Sequence, residues 1–147
     1  GKLDLAVRRP DEARLAWAKA VVAKIADRSR LTRPEVYAEE ALALAAGPAR
    51  VSVGLQALRI GELGIAAVPC EVFAETGLEI KRASPLRPTF VIELANGYHG
   101  YLPTPEQHAW GGYETWPARS SYLEVDAAPK IRDRAIELLR TLGTNGP

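Results

Sequence analysis

The sequence predicts an α/β or α+β fold, with a mixed β-sheet and flanking helices in a single compact domain. Apolar stripes at helical spacing alternate along the chain with short runs of β-branched and apolar residues, which is the pattern of interleaved helices and strands. The length of 147 residues is that of one domain. Apolar residues make up 47% of the chain and charged residues 25%, a mixture that excludes intrinsic disorder and fibrous proteins.

The first third of the chain is predicted to form a strand followed by two helices. Lys2–Arg9 alternates apolar and polar residues, as a half-buried strand does. A helix is expected from Pro10 to about Ser29, because acidic residues in its first turn favour the positive end of the helix dipole. A second helix is expected from Thr32 to Gly47, and Glu35 completes a capping box with Thr32.

The middle of the chain is predicted to alternate strands with one helix. Val51–Ile60 alternates in hydrophobicity, and Leu63–Val68 is a short apolar run, so the two are expected to form a hairpin. A helix is expected over Glu71–Arg82. Thr89–Leu94 carries the strongest strand signal, because it is rich in β-branched and aromatic residues.

The last third is predicted to contain a short helix, an irregular aromatic segment and a final helix. The short helix is expected to begin at the cap Thr104 and to stop at Gly111. Tyr113–Val125 has no periodicity. Ala128–Leu142 has an apolar stripe at helical spacing, and Gly143 is expected to end that helix.

The composition also limits the class of function. The net charge is +1, so the basic excess that nucleic-acid binding requires is missing. The longest stretch without a formal charge, Leu94–Pro105, is shorter than the roughly 20 apolar residues of a membrane span. No Gly-rich motif for a dinucleotide or a nucleoside triphosphate occurs in the sequence.

Two further features concern covalent chemistry and processing. Cys70 is the only cysteine, so no disulfide can form within the chain. Methionine is absent even at position 1, and we therefore expect a processed protein or an excised piece.

Two predicted strands each run into a polar cluster. Leu63–Val68 leads to Glu71, and Thr89–Leu94 leads to the loop Tyr98–Tyr101. In α/β sheets ligands bind outside the carboxyl ends of the strands. If the two strands are parallel neighbours, Glu71 and this loop lie side by side.

The residues of these clusters admit structural as well as functional roles. Glu71 is either a first-turn carboxylate that stabilises a helix dipole, or a metal ligand or general base. Tyr98 and Tyr101 are either amphipathic loop aromatics, or hydrogen-bond donors or phenolate ligands. His99 and His108 fit no short zinc motif and are taken as surface histidines.

Cysteine and tryptophan have alternatives of the same kind. Cys70 is either a buried, inert thiol or a nucleophile activated by a helix N-terminus. Trp17 is expected in the core, whereas Trp110 and Trp116 flank the Gly-rich loop and are expected to line a pocket.

Two segments together resemble a known family. Leu55–Gly77 reads LQALRIGELGIAAVPCEVFAETG, and Val91–Glu114 reads VIELANGYHGYLPTPEQHAWGGYE. Their motifs, order and spacing resemble those of the neutral (non-lysosomal) ceramidases and their bacterial relatives. The resemblance extends from about Val53 to Leu139.

The resemblance implies a zinc-dependent amidohydrolase that cleaves the N-acyl amide bond of ceramide or a related lipid amide. It implies that Glu71 and Tyr101 bind the zinc and that Tyr113 polarises the scissile carbonyl. Trp110, with Tyr98 and His99, then becomes a candidate for the substrate pocket.

The resemblance also implies that the chain is incomplete as an enzyme. The family's two zinc histidines and an active-site serine lie upstream, so residues 1–147 correspond to the C-terminal portion of a larger catalytic domain. The expected partners are the remainder of that domain and a lipid amide, and the isolated chain is expected to be inactive. Cys70 stands where the family usually has glycine. The family implies an extracytoplasmic or secreted location.

Two other functions remain open from the sequence. One is a non-catalytic binding or scaffold domain. The other is a self-contained hydrolase that uses Cys70 with His99 or His108.

Overall fold

The structure is a computed structural model that describes residues 1–144. The strands are β1 (Lys2–Ala6), β2 (Arg50–Gly54), β3 (Gln56–Ile60), β4 (Leu63–Ala67), β5 (Glu71–Val72), β6 (Thr89–Ile92) and β7 (Tyr101–Leu102). The helices are α1 (Glu12–Val22), α2 (Arg33–Ala46), α3 (Ala74–Ala83), α4 (Pro105–Trp110) and α5 (Ala127–Thr144), with a 3₁₀ turn at Tyr113–Thr115. No helix within residues 1–144 has both the length and the apolar character needed to cross a membrane.

The strands form three small sheets, of which one is mixed, and with the helices around them they confirm the predicted fold class. β1 pairs antiparallel with β2. β3 and β4 form the predicted antiparallel hairpin, and β6 joins the other edge of β4 in parallel. β5 and β7 form a two-residue parallel pair. The alternating run Val51–Ile60 is therefore divided between two sheets, and the buried residue Leu55 marks the break.

The helix α1 is shorter than the sequence predicts. It ends at Val22 rather than near Ser29. The next residues form tight turns, and the Asp27 carboxylate accepts a hydrogen bond from the amide of Ser29 at 2.8 Å. A local side-chain contact of this kind competes with the helical backbone. By contrast, α2 begins at the predicted capping box, where Glu35 accepts from the Thr32 amide at 2.7 Å.

Two buried clusters position the sheets against the helices. One joins β1, β2 and the ends of β4 and β7 to the first turns of α5. The other lies between the three-stranded sheet and the helices α3 and α5, around Ala66, Ile80 and Leu139. α1 and α2 pack on each other through the small residue Ala18 and its neighbours, and Trp17 packs against that contact while only partly buried.

The helix α5 runs on through Gly143, which was expected to end it. The hydroxyl of Thr144 in the last turn donates to the carbonyl of Arg140 at 3.3 Å. A Cβ at Gly143 would meet Pro85 at 3.0 Å, so the glycine allows close packing between the last turn and Pro85. Glycine adopts helical backbone angles when packing favours them, and its presence alone does not stop a helix.

The segment that begins at Glu71 corrects another prediction. Glu71 does not lie in the first turn of a helix, because Glu71–Val72 forms β5 and α3 begins only at Ala74. The amide of Glu71 donates to the carbonyl of Gly100 at 2.9 Å. A strand partner from a distant part of the chain thus takes the backbone groups that a helix would have used.

Candidate functional site

The two strands that end in polar clusters are parallel neighbours, as the sequence analysis required. The register between β4 and β6 runs from Gly64 opposite Thr89 to Ala67 opposite Ile92. Beyond these strands, the amide of His99 donates to the carbonyl of Pro69 at 2.7 Å. The loop after β6 is therefore held along the segment after β4, at the carboxyl end of the sheet.

Glu71 and Tyr101 are direct partners in the β5–β7 pair. Residues in register on neighbouring strands, which lie about 4.8 Å apart, present their side chains to the same face. The Glu71 carboxylate and the Tyr101 phenol therefore project together, and both residues are partly exposed. This is the juxtaposition that the family resemblance requires of two zinc ligands.

Tyr113 lies against Tyr101. The two ring centroids are 5.6 Å apart and the planes meet at 86°, an edge-to-face contact. A hydrogen bond with Tyr113, followed by the negative charge of Glu71, raises the pKa of Tyr101 to about 12. The Tyr101 phenol is therefore protonated at neutral pH in the absence of a cation. Tyr113 itself is 57% exposed and faces solvent beside this pair.

Tyr98 contributes a third phenol to the site. Its hydroxyl lies 3.5 Å from the Glu71 carboxylate, at the long end of hydrogen-bond distances. Partial burial, together with the charge of Glu71, raises the pKa of Tyr98. The ring is 55% exposed, so it presents an aromatic surface beside the carboxylate.

Gly100 allows the close approach of two loops at the site. Its φ of +76° belongs to the left-handed region, which side chains rarely adopt. A Cβ at this position would lie 2.2 Å from the carbonyl oxygen of Ser120. That same carbonyl accepts from the amide of Tyr101 at 2.8 Å. Gly100 therefore lets the loop after β6 contact the segment that follows Tyr113.

Arg8 is a residue that sequence reasoning missed. Its guanidinium donates to the carbonyls of Thr115, Ser121 and Leu123 at 2.7 to 2.8 Å, and to the Ser121 hydroxyl at 2.8 Å. Burial lowers the pKa of Arg8. The side chain holds the loop just after Tyr113 against the end of β1. No local pattern signals this role, because a charged residue at a strand end usually faces solvent.

Neither histidine of this chain lies in a group of metal-binding side chains among the described residues. Nδ1 of His99 lies 2.5 Å from the hydroxyl of Tyr122, and burial lowers the pKa of His99. His108 is half-buried on α4, where burial and then the charge of Arg8 lower its pKa. Among the described residues, no group of three His, Cys, Asp or Glu side chains could hold a metal ion. His99 thus fixes the loop that carries the tyrosines.

Cys70 is built into the core. It is fully buried in the cluster that includes Leu102 and Leu123, and burial raises the pKa of its thiol to about 12. A thiol of this kind stays protonated at neutral pH and is a poor nucleophile. The structure therefore opposes a self-contained hydrolase that uses Cys70, and it supports the alternative of a buried, inert thiol.

The two tryptophans near the Gly-rich loop differ in whether they line a cleft. Trp116 lines a cleft of about 460 Å³ between α1, α2 and the segment after the 3₁₀ turn, together with Trp17 and Tyr37. Trp110 ends α4 and is 79% exposed. The cleft is not lined by Glu71 or by its tyrosine neighbours. The prediction of a pocket is thus met at Trp116, away from the carboxylate and the phenols.

Comparison with solved structures finds similarity to ceramidases. No family model and no curated protein matches the chain. The structure is similar to that of a neutral ceramidase from Pseudomonas aeruginosa, with a TM-score of 0.59 and 19% identity. That match covers 99% of this chain and 25% of the other. A second similar structure, a ceramidase complexed with C2, has a TM-score of 0.56 and 23% identity, covering 68% of this chain and 16% of the other.

The similarity covers only a part of each of the two ceramidase structures. This chain spans a quarter or less of each of those two chains. At such identities the comparison establishes the fold, while activity and ligands need separate evidence. The motif resemblance and the three-dimensional likeness agree on this fold. The chain therefore has the fold of a segment of the neutral ceramidases.

Proposed function

We propose that this chain is part of a zinc-dependent amide hydrolase that resembles the neutral ceramidases. The observation that carries the proposal is the pairing of Glu71 with Tyr101 in one register of β5 and β7, with the Tyr113 ring centroid 5.6 Å from that of Tyr101. A carboxylate and two phenols gathered at the carboxyl end of a sheet match the two zinc ligands and the carbonyl-polarising tyrosine that the motifs imply. By the same resemblance, the proposed location is extracytoplasmic or secreted.

The donor chemistry fits zinc. Carboxylate oxygen is an established zinc ligand, and a phenolate is a hard oxygen donor of the same kind. In this proposal Glu71 and Tyr101 would hold the ion, with Tyr101 as the phenolate. Two protein ligands are fewer than any zinc site in proteins uses, so the remaining ligands, two histidines by resemblance, would come from another segment. When bound, such an ion lowers the pKa of a coordinated water to about 7.

Tyr113 supplies the electrophilic assistance. The Tyr113 side chain is exposed beside Tyr101. In this proposal its phenol would donate a hydrogen bond to the carbonyl oxygen of the scissile amide. This hydrogen bond strengthens as negative charge develops on that oxygen in the transition state. The loop that follows Tyr113 is held by Arg8 through its carbonyls. The backbone that carries the phenol is therefore held in place, which favours electrostatic stabilisation by a preorganised donor.

The proposed substrate is a lipid amide, such as ceramide. Tyr98 is 55% exposed beside Glu71, and Trp110 is 79% exposed at the end of α4. Large exposed aromatic side chains provide apolar surface for an acyl chain and retain a polar edge for water. His99 contributes by holding the loop through Tyr122 rather than by contacting the reacting atoms.

A non-catalytic binding or scaffold domain is the second candidate function. The observation that favours it is that the Glu71 carboxylate and the Tyr101 ring already have partners within the chain, in Tyr98 and Tyr113. On this alternative, the carboxylate and the phenols only stabilise the contact between two loops. The two candidates differ in what the protein that contains this chain binds and catalyses.

The decisive experiment uses the longer protein that contains this chain. We expect the double variant Glu71→Gln, Tyr101→Phe to lose zinc, measured by elemental analysis, and to lose more than about 100-fold in amidase activity on an N-acylsphingosine. Glu62→Gln, in the exposed turn between β3 and β4, is the matched control and should change neither quantity. Retention of both zinc and amidase activity by the double variant would refute the proposal.

A further inference from the structure

The three-stranded sheet of β3, β4 and β6 has one covered face. Ala57, Ala66 and Val91 lie in one row across the three strands, as their register shows. This row packs into the cluster that α3 and α5 form. The helices therefore cover this side of the sheet, and Ala66 at its centre has no exposed surface.

The opposite side of the same sheet is apolar and open. We define the open sheet face by Leu58 and Ile60 of β3 and Phe90 and Ile92 of β6. Their exposed fractions are 44%, 66%, 39% and 44%. The other residues on this face are Gln56 and apolar residues of β4, so no charged side chain lies on it. A sheet face that meets water normally carries polar side chains, so this face is built to be covered.

We infer that the open sheet face is the docking surface for another segment of the same larger hydrolase, one that presents an apolar and uncharged layer. This inference rests on the proposed function. The two similar ceramidase chains are at least four times as long as the portion matched, as the coverage of 25% and 16% shows. Such a protein has ample chain to form a second layer over this sheet.

The open sheet face is continuous with the candidate site. β6 leads from Ile92 through Leu94, which is 47% exposed, to Tyr98 beside Glu71. The Asn96 side chain donates to the Gln56 amide oxygen at 3.0 Å, which ties that loop to the end of β3. A layer that covers the face thus reaches the carboxyl end of the sheet. In the proposed function, the remaining zinc ligands would approach that same edge.

Thiol labelling tests whether the face is covered. The only cysteine, Cys70, is buried, so introduced cysteines react against a low background. We compare Leu58→Cys on the open sheet face with Glu62→Cys in the exposed turn, both in the longer protein and in the 147-residue chain. In the longer protein, a maleimide should modify Leu58→Cys at least about tenfold more slowly than Glu62→Cys. In the 147-residue chain the two rates should be similar.

A second position and the oligomeric state complete the test. Phe90→Cys should show the same protection as Leu58→Cys, because both lie in one row of the sheet. Equal rates at Leu58→Cys and Glu62→Cys in the longer protein would overturn the inference. Protection in the 147-residue chain that grows with concentration, together with a dimer mass by light scattering, would assign the face to a second copy and also overturn it.

The test separates this inference from the proposed function. Zinc content and amidase activity are measured on the same longer protein. A protected face without zinc or activity supports the docking surface and contradicts the hydrolase. Zinc and activity with an unprotected face contradict the docking surface and leave the hydrolase supported.

Discussion

At the scale of single residues, the contact between Tyr113 and Tyr101 makes the two phenols separable by experiment. The rings meet edge to face, with centroids 5.6 Å apart, so both occupy the site while only Tyr101 is in register with Glu71. In the longer protein we expect Tyr113→Phe to lower kcat by about 100- to 1,000-fold, because one oxyanion donor is lost. Zinc content should stay at the wild-type level, measured on the same samples.

The control for Tyr113→Phe is Tyr37→Phe. Tyr37 also packs edge to face on an aromatic ring, that of Trp116, but in the cleft away from Glu71. It should change kcat by less than about twofold, as expected for a substitution distant from the reacting atoms. If Tyr113→Phe removed zinc together with activity, the phenol would be a ligand or a structural support rather than an oxyanion donor.

The surroundings of some residues can be predicted from the sequence, whereas those of others cannot. The proximity of Glu71 and Tyr101 could be predicted, because each follows a strand that has a strong local signal and the two strands are parallel neighbours. Arg8 could not be identified, because its role depends on carbonyls more than 100 positions away. Cys70 needed the structure as well, since its burial follows from the packing of β1, β2 and α5 around it.

At the scale of elements, two glycines provide a matched pair of substitutions. Gly100→Ala would force a side chain to a φ of +76° and within 2.2 Å of the Ser120 carbonyl. Backbone strain alone costs about 1–3 kcal/mol, so the free energy of unfolding should fall by at least that amount. Gly77 lies within α3, and a Cβ added there would have no neighbouring atom within 4 Å. Gly77→Ala should therefore stabilise the protein by about 0.5–1 kcal/mol.

Chemical denaturation measures both glycine variants. The two changes add the same methyl group, so hydrophobicity alone predicts similar effects. Opposite signs would show that the loop at Gly100 requires its left-handed backbone. A Gly100→Ala variant as stable as the wild type would mean that the approach to Ser120 is looser than the structure shows.

A second element-scale prediction concerns the ion pair that joins α2 to the loop after the 3₁₀ turn. Arg119 donates to the Glu40 carboxylate through its side chain at 2.7 to 3.2 Å and through its amide at 2.7 Å. The hydrogen bond from the Arg119 side chain lowers the pKa of Glu40 below its usual value of 4.5. The contribution of the pair to stability is therefore complete above pH 4.5 and disappears as the pH falls through the lowered pKa.

Glu40→Gln tests this linkage. Because Arg119 is largely exposed, the variant should lose only about 0.5–1 kcal/mol of unfolding free energy near pH 7. The difference from the wild type should shrink as the pH falls below 4.5, followed by urea denaturation at several pH values. Glu62→Gln, in the exposed turn, is the control and should show no such trend. A constant difference at all pH values would exclude the carboxylate charge as its cause.

Elements also differ in how far the sequence predicts them. The hairpin of β3 and β4, the strand β6 and the capped helices α2 and α4 follow from local patterns, and all are present. The strand β5 could not be predicted, because Glu71–Val72 pairs with Tyr101–Leu102, a partner 30 positions along the chain. Two residues have too little periodicity to signal a strand, whereas the helical pattern that follows them is strong.

At the scale of the whole molecule, the fold class and the juxtaposition of the site follow from sequence, while the three separate sheets do not. Hydrophobic alternation indicates a strand without indicating its partner. For that reason Val51–Ile60 appears as one strand in the sequence and serves two sheets in the structure. At the site the strand patterns were sufficient, because two strands that each end in a polar cluster bring those clusters together when the strands are parallel neighbours.

Zinc binding by the 147-residue chain is a prediction at the same scale. Glu71 and Tyr101 are two oxygen donors, and metal-bound Tyr101 must first lose a proton from a phenol whose pKa is about 12. We expect dissociation constants of about a millimolar or weaker for two such ligands, so about 0.1 mM zinc should stabilise the chain by less than about 0.1 kcal/mol. Thermal unfolding with zinc or with a chelator should therefore give the same Tm.

The longer protein should behave in the opposite way. With the remaining ligands in place, a chelator should lower its Tm and zinc should restore it, because a ligand that binds only the folded state stabilises that state in proportion to its affinity. Glu71→Gln should abolish this difference in the longer protein and leave the 147-residue chain unchanged. Stoichiometric zinc binding by the short chain at micromolar concentration would show that this chain holds a complete site, with His99 or His108 among its ligands. It would then contradict the division of the zinc site between two segments.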